Sequence, residues 1–201
     1  MAIEAVVFDL GKVLVDFDYS IAAAKLAQRS KILTADILRL IAHPPLLFRY
    51  ETGLMDKDEF YKEICSITGF CGDMSEFSGF FSDIFSPIPA MIELHAALRK
   101  QGLPTYIFSN TNDLAIDHIR KSFPFFSNFD GYILSYEHGA MKPDAKLYEV
   151  VEKMTGRKGD SILYLDDREE NVAAGAARGW QVILQENPET TIQKIKSLNM
   201  V

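Results

Sequence analysis

Five short runs of apolar, β-favouring residues alternate with helix-forming stretches, and this alternation most constrains how the 201-residue chain can fold. Three of the four intervals between the runs carry apolar residues at helical spacing. Strands that alternate with helices predict a parallel sheet with helices on both faces, which is the α/β class. The runs are residues 5–8, 105–108, 131–134, 162–165 and 181–184.

The interval between the first two runs is the longest, and within it residues 17–85 contain four helical patterns and no convincing strand. The patterns cover residues 21–30, 34–41, 57–68 and 74–85. We therefore expect a sheet unit built from residues 1–16 and 86–201, with an all-helical unit of residues 17–85 inserted into it. Because the insertion follows a strand-terminal aspartate, Asp9, we interpret it as a lid over a site; a helical decoration that only buries surface is the alternative.

Polar side chains follow four of the five runs. In open α/β sheets, ligands bind outside the carboxyl ends of the strands, so these side chains are expected to meet at one edge. Each alone has a structural reading, as a turn residue, a helix cap or a surface lysine. Their occurrence together and in order favours a functional site. They are Asp9, Ser109 with Asn110, Lys142 with Pro143, and Asp166 with Asp167.

The three aspartates predict a metal site. Clustered carboxylates repel one another unless they hold a hard cation such as Mg²⁺. With the cation held by Asp9 and the Asp166–Asp167 pair, Asp9 can attack phosphorus as a nucleophile and form an acyl-phosphate. The pattern does not decide which aspartate of the pair binds the metal directly.

The remaining polar groups suit a phosphate. The Ser109 hydroxyl and the main-chain amides around Asn110 can bind non-bridging phosphate oxygens, and Lys142 can supply positive charge to the phosphate and to Asp9. The sequence therefore predicts a Mg²⁺-dependent phosphoryl-transfer enzyme, with Asp9 and Lys142 as its catalytic residues.

The composition restricts the classes of binding partner that we expect. The formal net charge is −7 and no basic stripe is present, so neither nucleic acid nor an anionic membrane is an expected partner. The first ten residues lack a basic start, and no run approaches the roughly 18 apolar residues of a membrane span. We expect a cytoplasmic monomer or weak dimer that acts on a small phosphorylated metabolite.

This ordered set of motifs resembles the haloacid dehalogenase superfamily. The first motif is matched by Phe8-Asp9-Leu10-Gly11-Lys12-Val13-Leu14, the second by Ser109-Asn110, the third by Lys142-Pro143 and the fourth by Leu165-Asp166-Asp167, with Asn171 downstream. The resemblance covers essentially the whole chain. It implies a Rossmann-like core with a helical cap after the first motif, and within the superfamily the chain is similar to bacterial glucose-1-phosphate phosphatases and to the phosphatase domain of soluble epoxide hydrolases.

Gly11 departs from the pattern of the superfamily. Most of its phosphatases carry an aspartate two residues after the nucleophile, which protonates the leaving oxygen and then activates water, a role worth ~10²–10⁴-fold. Gly11 has no side chain for this task, although the resemblance implies that its carbonyl binds Mg²⁺. Asp16 and Glu51 are candidate replacements, but for both we favour a solvated surface position.

The resemblance also implies that the cap sets substrate choice, for which a sugar phosphate is our expectation. Candidate cap contacts are His43, Phe48, Arg49, Tyr50 and Glu51.

Three other functions stay open. Gly11 is compatible with a non-catalytic phospho-ligand binder. It is also compatible with a 2-haloacid dehalogenase, but that class binds no metal and lacks an acidic pair in the fourth motif. A phosphomutase is disfavoured because the acid/base group is missing.

Overall fold

The five runs form one parallel sheet, as the alternation predicts. The structure is a computed structural model that describes residues 3–42 and 45–201; His43 lies outside the described residues. The strands are β1 (Ala5–Phe8), β2 (Val15–Phe17), β3 (Phe85–Pro87), β4 (Thr105–Ser109), β5 (Gly131–Leu134), β6 (Ile162–Asp166) and β7 (Gln181–Leu184). The main sheet has the order β5-β4-β1-β6-β7, so β1 lies at its centre between β4 and β6.

Alternate side chains of the central strands enter separate cores on the two faces of the sheet. In β1, Val6 and Phe8 pack into one apolar cluster, whereas Ala5 and Val7 pack into another. All four residues are fully buried. A strand buried on both faces reads as a continuous apolar run, which explains why the sequence shows no alternation here.

Helices cover both faces of the sheet. Apolar residues of α6 (Pro89–Lys100), α7 (Asp113–Ser122) and α11 (Pro188–Ser197) enter the cluster of Val6 and Phe8. Residues of α9 (Ala145–Thr155) and α10 (Glu169–Ala177) pack on the other side. The short helix α8 (Ser135–His138) follows β5 directly. This is the predicted Rossmann-like α/β arrangement; α8 and α11 are additions that the sequence patterns did not predict.

In the described part of the chain, five helices lie between β2 and β3 and share a third apolar core. Its largest buried side chains include Phe60 and Phe77. The 21–30, 34–41, 57–68 and 74–85 patterns correspond to four of these helices, while the six-residue helix after Pro45 was not predicted. The helices are α1 (Tyr19–Ala27), α2 (Thr34–Ala42), α3 (Leu46–Glu51), α4 (Lys57–Thr68) and α5 (Met74–Ser82).

A two-stranded antiparallel ribbon joins the ends of this helical segment. Strand β2 pairs with β3, with Val15 opposite Pro87 and Phe17 opposite Phe85. The expectation of no strand near either end was therefore wrong. Each strand has only three residues, and the pairing joins positions about 70 apart, so neither strand carries a periodic pattern of its own.

Within the part of the chain that the structure describes, no helix combines the length and the apolar character that crossing a membrane requires.

Candidate active site

The carboxyl ends of β1 and β6 bring three carboxylates together. Phe8 pairs with Leu165 across the two strands, and the Asp9 amide donates to the Leu165 carbonyl at 2.8 Å. Carboxylate oxygens of Asp9, Asp166 and Asp167 all lie within 4.8 Å of one another. Adjacent parallel strands with matched register place their next residues side by side, and this produces the cluster.

Lys142 lies buried among the carboxylates, and three protein oxygens surround its ammonium. Its Nζ donates to Asp166 Oδ2 at 2.6 Å and to the Phe108 carbonyl at 2.9 Å, and it lies 3.0 Å from Asp9 Oδ1. Burial lowers the pKa of the ammonium, but the attraction of Asp9 and Asp166 outweighs burial and the net pKa is raised. Lys142 is therefore a fixed positive charge.

The aspartates of the doublet differ in how many partners they have. Asp166 is fully buried and its two oxygens accept four hydrogen bonds. The donors are Lys142 Nζ, the Tyr164 hydroxyl, the Arg168 amide and Asn171 Nδ2. Asp167 is only partly buried, accepts no side-chain hydrogen bond from the described residues and lines a cavity with Asp9. Asp167 is thus the aspartate with oxygens available for a ligand.

The cluster carries more negative than positive charge, and a bound cation would reduce this excess. Three carboxylates face one ammonium, a net charge of −2 when all are ionised. Burial raises the pKa of Asp9 to about 7, with Lys142 opposing and Asp166 adding to the rise. Asn171 Oδ1 is buried and has no hydrogen-bond partner among residues 3–42 and 45–201, and Asn171 lines the same cavity. An all-oxygen donor set with excess negative charge and an orphaned amide oxygen fits Mg²⁺.

Ser109 and Asn110 follow β4 at the same edge and differ in how their side chains are engaged. Asn110 holds the main chain of Lys142 in both directions, accepting from its amide at 2.7 Å and donating to its carbonyl at 3.1 Å. The Ser109 hydroxyl makes only a 3.3 Å contact to the Asn110 carbonyl. Asn110 therefore positions the lysine loop, and the Ser109 hydroxyl is available to a ligand.

Gly11 lies against an aromatic ring. A Cβ atom added to Gly11 would lie 2.9 Å from Cε1 of Phe17, a separation at which the ring would have to move. The Phe17 ring is held edge-on to Tyr19 and lies under the ammonium of Lys12. The side chain that the superfamily usually carries at this position is thus replaced by the ring of a residue from β2.

A cavity of about 280 Å³ opens above the cluster. Of the predicted cap contacts in the described residues, only Glu51 lines it. Phe48 is 48% exposed, Arg49 pairs with Glu63, and Tyr50 stacks on Phe60. The residues that reach the cavity from the ribbon and the helical segment are Phe17, Tyr19, Ala42, Leu47 and Glu51.

The surface position that we favoured for both candidate acid/base residues holds for only one of them. The Asp16 side chain is 56% exposed and pairs with Lys12. Glu51 is partly buried, lines the cavity beside Gly11, and has its pKa raised to about 7 by burial, with Arg168 and Lys142 opposing. The expectation was wrong for Glu51 because the end of α3 turns toward the sheet instead of toward solvent.

Sequence reasoning also missed Arg168 and Ser135. Arg168 lines the cavity directly after the acidic doublet. Ser135 is fully buried, accepts from the Thr111 amide at 2.9 Å and donates to the Glu51 carbonyl at 2.6 Å. Ser135 directly follows β5, so its strand-end position was the signal that could have identified it.

Comparison with known proteins places the chain in a family. The family model described as haloacid dehalogenase-like hydrolase matches residues 3–179. The chain is 29% identical over 134 residues to the sesquiterpene phosphatase astK of Aspergillus oryzae, covering 65% of this chain and 67% of that protein. It is 26% identical to the D-ribitol-5-phosphate phosphatase of Bacteroides thetaiotaomicron, covering 92% and 93% respectively.

A solved structure shows the same fold. An enzyme of this family from Bacteroides thetaiotaomicron, crystallised with magnesium and inorganic phosphate, superposes with a TM-score of 0.81 at 22% identity, covering 92% of this chain and 97% of that one. At this identity the likeness establishes the fold. The match of the family model over most of the chain shows that the protein belongs to the haloacid dehalogenase-like hydrolases.

Proposed function

We propose that the protein is a Mg²⁺-dependent phosphatase that hydrolyses a small phosphorylated metabolite through an aspartyl-phosphate on Asp9. The observation that carries the proposal is the cluster of Asp9, Asp166 and Asp167 around the buried ammonium of Lys142. The names of the two curated relatives, both phosphatases, support the same reaction.

Asp9 has one oxygen available for attack. Its Oδ1 accepts from the Leu10 amide at 2.7 Å and contacts Lys142 at 3.0 Å, whereas Oδ2 has no hydrogen-bond partner among the described residues. We assign Oδ2 as the atom that attacks phosphorus while Lys142 holds the carboxylate in place. The Ser109 hydroxyl and the Asn110 amide bind the phosphate oxygens, whereas the Thr111 amide is already bonded to Ser135.

We assign the metal to Asp9, the carbonyl of Gly11 and Asp167. Asp166 is not assigned as a direct metal ligand, because its oxygens already accept four hydrogen bonds. When bound, the cation cancels the repulsion between the carboxylates and the phosphate. Asp166 and Asn110 keep Lys142 in place, so the positive charge beside the nucleophile does not depend on substrate.

The cavity supports a small substrate. Its volume of about 280 Å³ lies just below the roughly 300–1,000 Å³ of small-molecule sites. Glu51, Lys12 and Arg168 give its wall hydrogen-bonding and charged groups, and the aromatic rings of Phe17 and Tyr19 give it an apolar side. This lining suits a sugar or polyol phosphate.

We also propose that residues 1–16 and 86–201 form the catalytic unit and residues 17–85 its cap. The separate apolar core of the helical segment and its entry through the β2–β3 ribbon support this division. The protein acts as a monomer or weak dimer, since one chain supplies every residue that the mechanism uses.

Turnover of a panel of sugar and polyol phosphates, with and without Mg²⁺, tests the function. We expect Asp9→Asn to lower kcat by roughly a thousandfold or more, because the nucleophile is lost. The matched control is Asp58→Asn, which changes an exposed aspartate of α4. Acid quenching during turnover should recover one phosphoryl group on Asp9.

Three results separate the alternatives. Full turnover in Asp9→Asn would refute the nucleophile. Ligand binding without turnover by the native chain would favour a non-catalytic binder. Halide release from 2-haloacids that survives EDTA would favour a dehalogenase, against which the carboxylate cluster argues.

A further inference from the structure

An alkoxide leaves phosphorus slowly unless a proton reaches the leaving oxygen, so a phosphatase for sugar phosphates needs an acid near its nucleophile. In this chain the acid cannot be the residue two positions after Asp9, where most phosphatases of the superfamily carry it. Gly11 has no side chain, and the ring of Phe17 occupies the space where one would begin. The acid must come from another element that lines the cavity.

The basic groups around the cavity do not suit the task. Lys142 donates hydrogen bonds to the Phe108 carbonyl and Asp166 and pairs with Asp9, so its ammonium is held by the protein. Lys12 pairs with the exposed Asp16 and donates to the Phe17 carbonyl. Arg168 forms a salt bridge with Glu170.

Among the acidic side chains that line this cavity in the described residues, Glu51 is the one without an assigned role. Asp9 and Asp167 are engaged as nucleophile and metal ligand in the proposed function. Burial, and next the charge of Glu51, raise the pKa of Tyr19 above the usual value of a tyrosine phenol, so this side chain is a poorer proton donor than a carboxyl group. Glu51 lines both the cavity above Asp9 and the smaller pocket beside Ser109, with Gly11 in each.

Three contacts hold Glu51 over the strand ends. The Ser135 hydroxyl donates to the Glu51 carbonyl at 2.6 Å. The preceding residue, Tyr50, donates through its hydroxyl to Asp113 at the start of α7. Two residues further on, Gly53 packs so closely on the carbonyl of Tyr136 that no side chain would fit there. The main chain on both sides of Glu51 is therefore fixed to the sheet unit.

The carboxyl group itself is unpaired. No described residue forms a hydrogen bond or salt bridge with the Glu51 side chain. Burial raises its pKa to about 7, against the opposing charges of Arg168 and Lys142, so both protonation states are populated near neutral pH. A group of this kind can give a proton in one step and take one in the next. The titratable or charged residues around it are Asp9, Lys12, Tyr19, Lys142, Asp167 and Arg168.

We propose that Glu51 is the general acid and general base of this enzyme and supplies from the cap what Gly11 lacks. The proposal rests on the proposed phosphatase function. As Asp9 Oδ2 bonds to phosphorus and the bond to the leaving oxygen breaks, the proton of Glu51 passes to that oxygen. The resulting carboxylate takes a proton from water, the water oxygen attacks phosphorus, and the bond to Asp9 breaks. Orthophosphate leaves, and Glu51 is protonated again.

The test compares Glu51→Gln with the native enzyme on two leaving groups. On a sugar phosphate we expect kcat to fall by ~10²–10⁴-fold, the usual worth of such a group. p-Nitrophenolate leaves without a proton, so the variant should release one equivalent of it rapidly and then slow down, with the phosphoryl group trapped on Asp9. In the native enzyme kcat/KM for the sugar phosphate should fall above about pH 7. This fall, the alkaline limb of the pH profile, should be absent in the variant.

The controls separate a chemical role from a structural one. Asp16→Asn, which changes the other candidate carboxylate, should keep the alkaline limb, and Glu51→Asp should retain part of it. Inorganic phosphate binding by Glu51→Gln in the presence of Mg²⁺ shows that the variant has folded and kept its site.

Each outcome decides between the two proposals. No turnover by the native enzyme on any phosphate ester would refute the phosphatase function itself. An active native enzyme with an equally active Glu51→Gln would refute only the role of Glu51. An equal loss on both leaving groups, without a burst and with the limb retained, would make Glu51 a binding residue and overturn the proposal.

Discussion

Replacement of Glu51 by glutamine should make the folded protein more stable at neutral and alkaline pH while it removes activity. Burial raises the pKa of Glu51 from 4.5 to about 7. Below pH 4.5 the side chain is protonated in both the folded and the unfolded state. Between pH 4.5 and 7 the unfolded chain loses the proton first, so native stability falls as pH rises and levels off above pH 7.

The size of the effect follows from the same values. One pKa unit corresponds to about 1.36 kcal/mol, so the rise from 4.5 to about 7 costs the native fold about 3 kcal/mol at pH 8. Glutamine resembles the protonated acid and carries no such cost. For a chain of this length, about 3 kcal/mol corresponds to roughly 6–12 °C in Tm.

Urea unfolding of the native protein and of Glu51→Gln, at pH 4, 6 and 8 in EDTA, measures the difference. We expect no difference at pH 4 and about 3 kcal/mol in favour of the variant at pH 8. Asp9 titrates in the same range but is present in both proteins, so it largely cancels. Glu93→Gln, which changes an exposed glutamate of α6, is the matched control and should show no such trend. Equal or lower stability of Glu51→Gln at pH 8 would refute the burial of this carboxylate.

Two other substitutions test the packing of the site. Lys142→Met leaves the buried carboxylates of Asp9 and Asp166 without their counter-charge, so urea unfolding in EDTA should show a loss of about 3–5 kcal/mol, part of which Mg²⁺ restores; an unchanged midpoint would contradict the buried ion pair. Gly11→Asp should not raise turnover and should cost about 1–3 kcal/mol, because the added side chain meets the Phe17 ring. If Gly11→Asp raised activity while Phe17 was left unchanged, the ring would have to move aside freely.

The sheet and its functional edge were predictable because their causes are local. Each buried strand is a continuous apolar run, and the residue that ends it projects from one edge whatever the rest of the fold does. Asp9, Ser109 and the Asp166–Asp167 pair could therefore be assigned to a common edge before any coordinate was known. The same reasoning, applied to the end of β5, would have found Ser135.

The ribbon of β2 and β3 was not predictable in the same way. Three-residue strands show no period, and their pairing depends on the folding of about 70 intervening residues. The ribbon nevertheless decides what lies beside Gly11, since it carries the Phe17 ring into the space that a side chain at this position would occupy.

The sequence by itself determined the family, the class of fold and the residues that meet at the strand ends. The reason is that each motif directly follows its strand in the sequence, so the order of the motifs can be recognised without the structure. Only the tertiary structure decided that Asp166 is saturated while Asp167 is open, and that Glu51 faces the cavity while Asp16 faces solvent. The direction of a helix end and the number of partners around a carboxylate arise from packing between distant segments. No local pattern of residues records that packing.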